Sequence, residues 1–249
     1  MLIDTHCHIH EPLELEVSDV LKNAEAAGVG VMICVGTSEQ SSQQAIAFSE
    51  QHTQAYAAIG VHPHDTKDGH DEIAILAGTS SKIVAVGEVG LDYFYTHSPK
   101  EVQIAALRAQ IEVALAHDLP IIFHVRNAFD DFWPVFDSYV GIRGVLHSFT
   151  DSQINMEEAI KRGLYIGLNG ISTFTKDEAQ KATFDAIPAD RILFETDAPF
   201  LTPAPYRGKI NQPAYVRLVA EYHAKRRGIS FEEIADLSTK NARTLFTLS

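Results

Sequence analysis

Residues 102–124 read VQIAALRAQIEVALAHDLPIIFH, and their order sets the pattern for the rest of the chain. Val102–His117 has helical periodicity, Pro120 starts a new element, and Ile121-Ile122-Phe123 is a short apolar run of strand type. That run ends on a polar residue, His124. A helix, a stop, a buried strand and then a polar side chain make one unit of an alternating α/β architecture.

The unit recurs in both directions. Strand candidates are Leu2–His6, Val29–Val35, Tyr56–Gly60, Ile83–Gly87, Pro120–His124, Gly144–His147, Leu164–Gly167 and Arg191–Glu195. Helix candidates are Val17–Ala27, Ser38–Gln51, Val102–His117, Phe129–Tyr139, Ser152–Arg162, Lys176–Ala186, Pro213–Arg226 and Phe231–Leu248. Gly28 and Pro188 stand just past helices, as stop signals do. The third crossover, Asp65–Ser80, is less regular. Eight alternations without a linker or composition break predict an α/β fold, a single (β/α)8 TIM barrel, with residues 1–249 as one domain. In such barrels the active site is assembled at the C-terminal ends of the strands, so the polar residues just past each apolar run hold the chemistry.

Bulk composition narrows the class. Twenty Lys and Arg stand against 33 Asp and Glu, a formal charge of −13. This speaks against a broad basic nucleic-acid footprint but not against a nuclease, because bound cations offset carboxylates locally. Cys7 and Cys34 are too few for a disulfide framework, so a cytoplasmic setting is expected. No signal peptide is visible at Met1–His6, and no apolar run approaches the roughly 18 residues of a membrane span.

The first strand ends in Asp4-Thr5-His6-Cys7-His8, and residues two apart in an extended chain share a face. His6 and His8 can therefore converge on one ion, although a lone His-x-His is a weak signal that hydrogen-bonded histidines also explain. Later strands repeat the theme: Ile83–Gly87 runs into Glu88, Ile121-Ile122-Phe123 into His124, Val145-Leu146 into His147, and Ile192-Leu193-Phe194 into Glu195-Thr196-Asp197. Four histidines and two carboxylates at strand ends make a metal constellation, since ionisable groups are rarely buried unless paired or ligated.

The ordered set Asp4-Thr5-His6-Cys7-His8, Gly60-Val61-His62-Pro63, Gly87-Glu88-Val89-Gly90-Leu91-Asp92, His124-Val125-Arg126, His147-Ser148-Phe149 and Glu195-Thr196-Asp197 strongly resembles the TatD family of metal-dependent deoxyribonucleases, within the amidohydrolase-like barrels. The matches run in order over nearly the whole chain. The resemblance implies that His6, His8 and Asp197 hold one metal, that His124 and His147 hold a second, and that Glu88 bridges the two. Two divalent ions about 4 Å apart can share a hydroxide and stabilise both oxygens of an in-line displacement. Asp197 is then the candidate general base as well as a ligand, and Glu88 and Asp197 are the catalytic pair. The ions are Mg, Mn or Zn, since mixed imidazole and carboxylate ligation permits each.

His62, at the end of its strand, is expected to contact substrate phosphate, with a hydrogen-bonded supporting role as the alternative. Arg126 shares a face with His124 and suits phosphate, or pairs with Asp92. Arg207 and Lys209 lie beyond the last strand and can attract a nucleic-acid backbone. Asp92 is an orienting partner, and Glu195 adds support or a further, weaker metal site. Tyr93, Phe94 and Tyr95 either stack on a base or pack over the barrel rim. Two positions depart from the family pattern: His10 stands where relatives usually carry aspartate, and Gln212 where they commonly carry glutamate. Together these features imply a metal-dependent DNase, exonucleolytic on single-stranded or frayed DNA ends; the sequence does not set the oligomeric state, and a monomer is the expectation. The alternative is a hydrolase of a small amide, lactone or phosphoester on the same barrel, although Glu88 replaces the carbamylated lysine common in related barrels. A non-catalytic scaffold would have lost ligands, and none is lost.

Overall fold

The computed structural model describes residues 1–249 except Leu13, Thr96 and Ser249. In chain order the elements are β1 (Leu2–Cys7), α1 (Val17–Ala26), β2 (Val29–Val35), α2 (Glu39–Gln51), β3 (Ala55–Ile59), α3 (Glu72–Leu76), β4 (Ile83–Asp92), α4 (Lys100–Ala116), β5 (Ile121–Arg126), α5 (Phe129–Phe136) and β6 (Gly144–Leu146). Then follow α6 (Gln153–Lys161), β7 (Tyr165–Leu168), α7 (Ile171–Phe174), α8 (Glu178–Ala186), β8 (Ile192–Phe194), α9 (Val216–Arg227) and α10 (Phe231–Phe246). The eight strands follow one another in the order β1 to β8 in one sheet, and β3–β4, β4–β5, β5–β6 and β7–β8 pair in parallel. This is the (β/α)8 architecture that the alternation predicts. The third crossover, irregular in sequence, is a single turn at Thr66–Asp68 and the five-residue α3.

The chain divides into two compact units, Met1–Ile33 with Ser148–Ser249, and Cys34–His147. In the first, helix starts follow their capping chemistry. Ser152 accepts from the N–H of Asn155, Asp177 from those of Ala179 and Gln180, and Ser230 from that of Glu233. Gly228 closes α9 in the left-handed region at φ 67°. On the inner face of α9, His223 is fully buried, stacks on Phe194 at 5.7 Å and lies 2.9 Å from the Ser172 hydroxyl. That hydroxyl donates to the carbonyl of Asn169, so His223 Nε2 donates to it.

Burial, and next the charge of Arg227, push the His223 pKa down to about 3. Its folded pKa lies below the unfolded one, so the unfolded chain takes up the proton first. The contribution is complete above about pH 6.5 and is lost as pH falls towards 3, the loss amounting to about 2 kcal/mol by pH 5. His223→Leu is expected to remove that part of the stability difference between pH 7 and pH 5 in urea unfolding. An unchanged difference would assign the acid sensitivity to other groups.

In the second unit, the apolar run of β5 supplies Phe123, which meets Phe132 of α5 edge-on at 5.1 Å, with both rings fully buried. Sequence places the end of β4 at Gly87, but the strand continues to Asp92 and is buried throughout. Two glycines that read as a loop are the cause. A Cβ on Gly87 would lie 2.6 Å from Cβ of Ile122, and one on Gly90, at φ 155°, would lie 1.8 Å from the carbonyl oxygen of His124. The glycines let β4 and β5 approach closely enough to pair Gly90 with His124 and Asp92 with Arg126. Gly90→Ala is expected to cost about 3 kcal/mol, from overpacking against backbone and a disfavoured φ. That corresponds to a melting temperature roughly 6–12 °C lower. A shift under 2 °C would show that β4 relaxes freely there.

Candidate active site

In the first unit, β1 delivers His6, His8 follows just past the strand end, and Asp197 follows β8. His6 Nε2 lies 3.2 Å from His8 Nε2, and Asp197 Oδ1 lies 3.2 Å from His8 Nε2 and 3.7 Å from His6 Nε2. Backbone bonds hold the two strand ends together: Asp197 N–H donates to the carbonyl of His6 at 2.8 Å, and His8 N–H to that of Ala198 at 2.7 Å. Asp197 sits at φ 58°, a conformation that Asp and Asn tolerate better than most residues. One turn deeper, buried Asp4 accepts from the N–H of Thr196 at 2.8 Å and from its hydroxyl at 2.5 Å. Burial pushes the Asp4 carboxyl up to about 8 against those bonds.

In the second unit, Glu88 is buried with its Oε1 at 2.7 Å from His124 Nδ1, 3.0 Å from His147 Nε2 and 3.6 Å from His62 Nε2. Burial raises the Glu88 pKa, but the His147 and His62 imidazoles and hydrogen bonds from His124 and His147 outweigh it and hold the carboxyl well below its usual range. His124 also reaches Asp92, with Nε2 at 3.1 Å from Oδ2. Burial lowers the His124 pKa, and the bonds to Asp92 and Glu88 more than restore it. With both ring nitrogens facing carboxylates, His124 must give up a proton to become a ligand, so cation uptake at this set strengthens as pH rises.

The donor sets fit divalent cations. His6, His8 and Asp197 form one group whose candidate ligand atoms lie within 4.8 Å of one another, and His62, Glu88 and His124 form another. Two imidazole nitrogens 3.2 Å apart repel if both present lone pairs, which a shared cation relieves. Imidazole with carboxylate suits Zn and Mn, and carboxylate suits Mg.

The remaining expected residues fall as follows. His62 is drawn into ligand reach of Glu88; burial, and next the charge of His124, push its pKa down to about 3. Asp92 is fully engaged as an orienting group: Oδ2 faces His124 and His64, and Oδ1 accepts from the N–H groups of Phe94 and Tyr95. Burial raises its pKa, and the His124 and Tyr95 bonds drive it far down. Arg126 does not pair with Asp92; its guanidinium lies 3.9 Å over the Phe94 ring, because the Asp92 oxygens are already taken. Glu195 is buried and accepts from the N–H of Ser148 at 2.7 Å, which supports the turn after His147. Arg207 lies 3.4 Å over the Phe174 ring, and Lys209 lines the same shallow hollow as Arg207, Thr202 and Ile210.

Of the two departures, Gln212 accepts from Asn23 of α1 at 2.9 Å, and the His10 ring lies 6.2 Å from that of His8. Sequence reading missed His64, whose Nε2 is 3.0 Å from Asp92 Oδ2 and whose ring meets His62 at 4.3 Å. The signal was there, because His62-Pro63-His64 repeats the spacing of His6 and His8.

Fold and donor sets together define a metal-dependent hydrolase on a (β/α)8 barrel. The family profile described as TatD related DNase matches residues 3–247. The chain belongs to the TatD family. It is 39% identical over 255 aligned residues to a Bacillus subtilis protein named uncharacterized metal-dependent hydrolase YabD, with 100% of both chains covered. It is 35% identical over 242 residues to the 3′-5′ ssDNA/RNA exonuclease TatD of Salmonella typhimurium, with 92% of each covered. Among solved structures, YJJV, a TatD homologue from Escherichia coli K12, superposes with a TM-score of 0.92 at 29% identity, covering 100% of this chain and 98% of that one. Among the described residues, no helix is long and apolar enough to cross a membrane.

Proposed function

We propose that the chain, acting as one hydrolase domain, cleaves phosphodiester bonds of DNA from single-stranded or frayed ends and uses two divalent cations. The supporting observation is the pair of convergent imidazole–carboxylate sets at strand ends, one around Asp197 and one around Glu88. His6, His8 and Asp197 would hold one cation, and His124 and His147 the other. Glu88 would be shared, as the family resemblance implies. Bound there, the cations would supply Lewis acidity to the phosphate and acidify an attacking water.

The chain's own groups do the rest. Asp197 orients the water and takes its proton. Asp92 fixes the ring of His124, and Glu195 fixes the backbone beside His147. Arg126 and Arg207 meet the substrate's phosphates with cationic donors matched to phosphate geometry, and His62 meets them as a neutral imidazole donor. The acidic balance of −13 suits strand ends, where few phosphates need to be gripped, rather than a duplex.

The test is a time course of the metal-loaded protein on single-stranded DNA labelled at the 5′ or the 3′ end, beside small esters and lactones. Stepwise shortening of the DNA is expected. Uncut DNA with turnover of a lactone or amide would replace this reading with the small-molecule hydrolase.

A further inference from the structure

We propose that Phe94, Tyr95 and Arg126 form a nucleobase platform for the terminal nucleotide of the strand, a subsite that rests on the phosphodiesterase reading. Three observations converge on it. Phe94 is 53% exposed and Tyr95 is 43% exposed, although both are large aromatic side chains. Their backbone N–H groups are pinned to Asp92 Oδ1 at 2.9 and 3.1 Å, so the turn that presents them is fixed by the same carboxylate that orients His124.

The second observation is electrostatic. Arg126 is exposed and lies 3.9 Å over Phe94 and 5.1 Å from the Tyr95 centroid. Among the described residues no carboxylate pairs with it, whereas Arg143, Arg162, Arg217 and Arg226 each pair with one. In a chain of net charge −13, an arginine held on aromatic faces and left without a carboxylate offers its N–H edge to an anion. A guanidinium plane backed by a ring is also a stacking surface for a base.

The third observation is continuity with the ligand set. Ring centroids step from His124 to His62 at 4.4 Å, to His64 at 4.3 Å, to Tyr95 at 5.5 Å and to Phe94 at 4.7 Å. A strand with its phosphate at the cation ligands thus meets a wall of rings ending in the platform. A nucleotide fits this combination: its base stacks on the Arg126 plane and its phosphate meets the guanidinium edge. A small ester or lactone without a base leaves the platform unused.

Equilibrium binding of fluorescein-labelled dT5 to the metal-loaded protein, compared with an abasic strand of equal length, reads the platform independently of turnover. The wild type is expected to bind dT5 about tenfold more tightly than the abasic strand. Phe94→Leu/Tyr95→Leu is expected to bring that ratio to about one, and Arg126→Lys to reduce it although the charge is kept. Unchanged melting temperatures would show that the variants fold. A ratio near one in the wild type, or a wild-type ratio retained in the double variant, overturns the platform. Cleavage of both strands without base preference would sink the platform and leave the nuclease reading standing. Preferential binding of dT5 without cleavage would do the reverse.

Discussion

Replacing Glu88 by alanine is expected to strip divalent metal from the protein and to lower phosphodiester hydrolysis at least about 10³-fold, or ~4 kcal/mol of transition-state stabilisation. Glu88 is the carboxylate on which His124, His147 and His62 converge within 3.6 Å. Its charge offsets the desolvation of those imidazoles when no metal is bound, and it supplies the anionic ligand when metal is present. Removing it leaves three rings, His147 buried and His62 and His124 partly buried, that can no longer gather a cation. Metal analysis of the purified variant beside nuclease assays checks both halves, and Glu88→Gln separates charge from size. Metal loss with hydrolysis retained would end the metal mechanism.

The second large effect is expected from Asp197→Asn, about 10³-fold in kcat with little change in melting temperature. Asparagine accepts the left-handed φ of 58° at this position and keeps the side-chain volume, so the fold should be spared. What is lost is the anion next to His8 and His6 and the group that takes a proton from water. A pH–rate profile adds a discriminating readout: the acidic limb expected of the wild type should disappear with the base. A kcat within tenfold of wild type would move the proton acceptor elsewhere.

Much of the fold and of the ligand constellation can be read from the sequence because every expected ligand stands at the end of an apolar run. His6, His124 and His147 need only a strand boundary and a period of two. The true end of β4 could not be read in this way, because Gly87 and Gly90 signal a loop unless the partner strand's backbone is known to lie against them. Nor could the partner of Arg126 be settled. Asp92 sits opposite it in register, but four other donors hold the Asp92 oxygens, and that competition exists only in three dimensions. His64 lies past the end of β3 at Ile59, where alternation no longer predicts direction, so only its spacing from His62 hinted at it.

The His8–Asp197 side-chain contact and the Asp4–Thr196 bonds beneath it close the first donor set across 189 and 192 residues of sequence. During synthesis, His6 and His8 are made well before their carboxylate partner, which lies 189 residues beyond His8. A ribosome-bound fragment ending before Asp197 presents two histidines that can pick up stray metal but has no carboxylate to complete the set. Completion of this donor set therefore waits until all eight strands have been made, which delays its chemistry until the barrel can close around it.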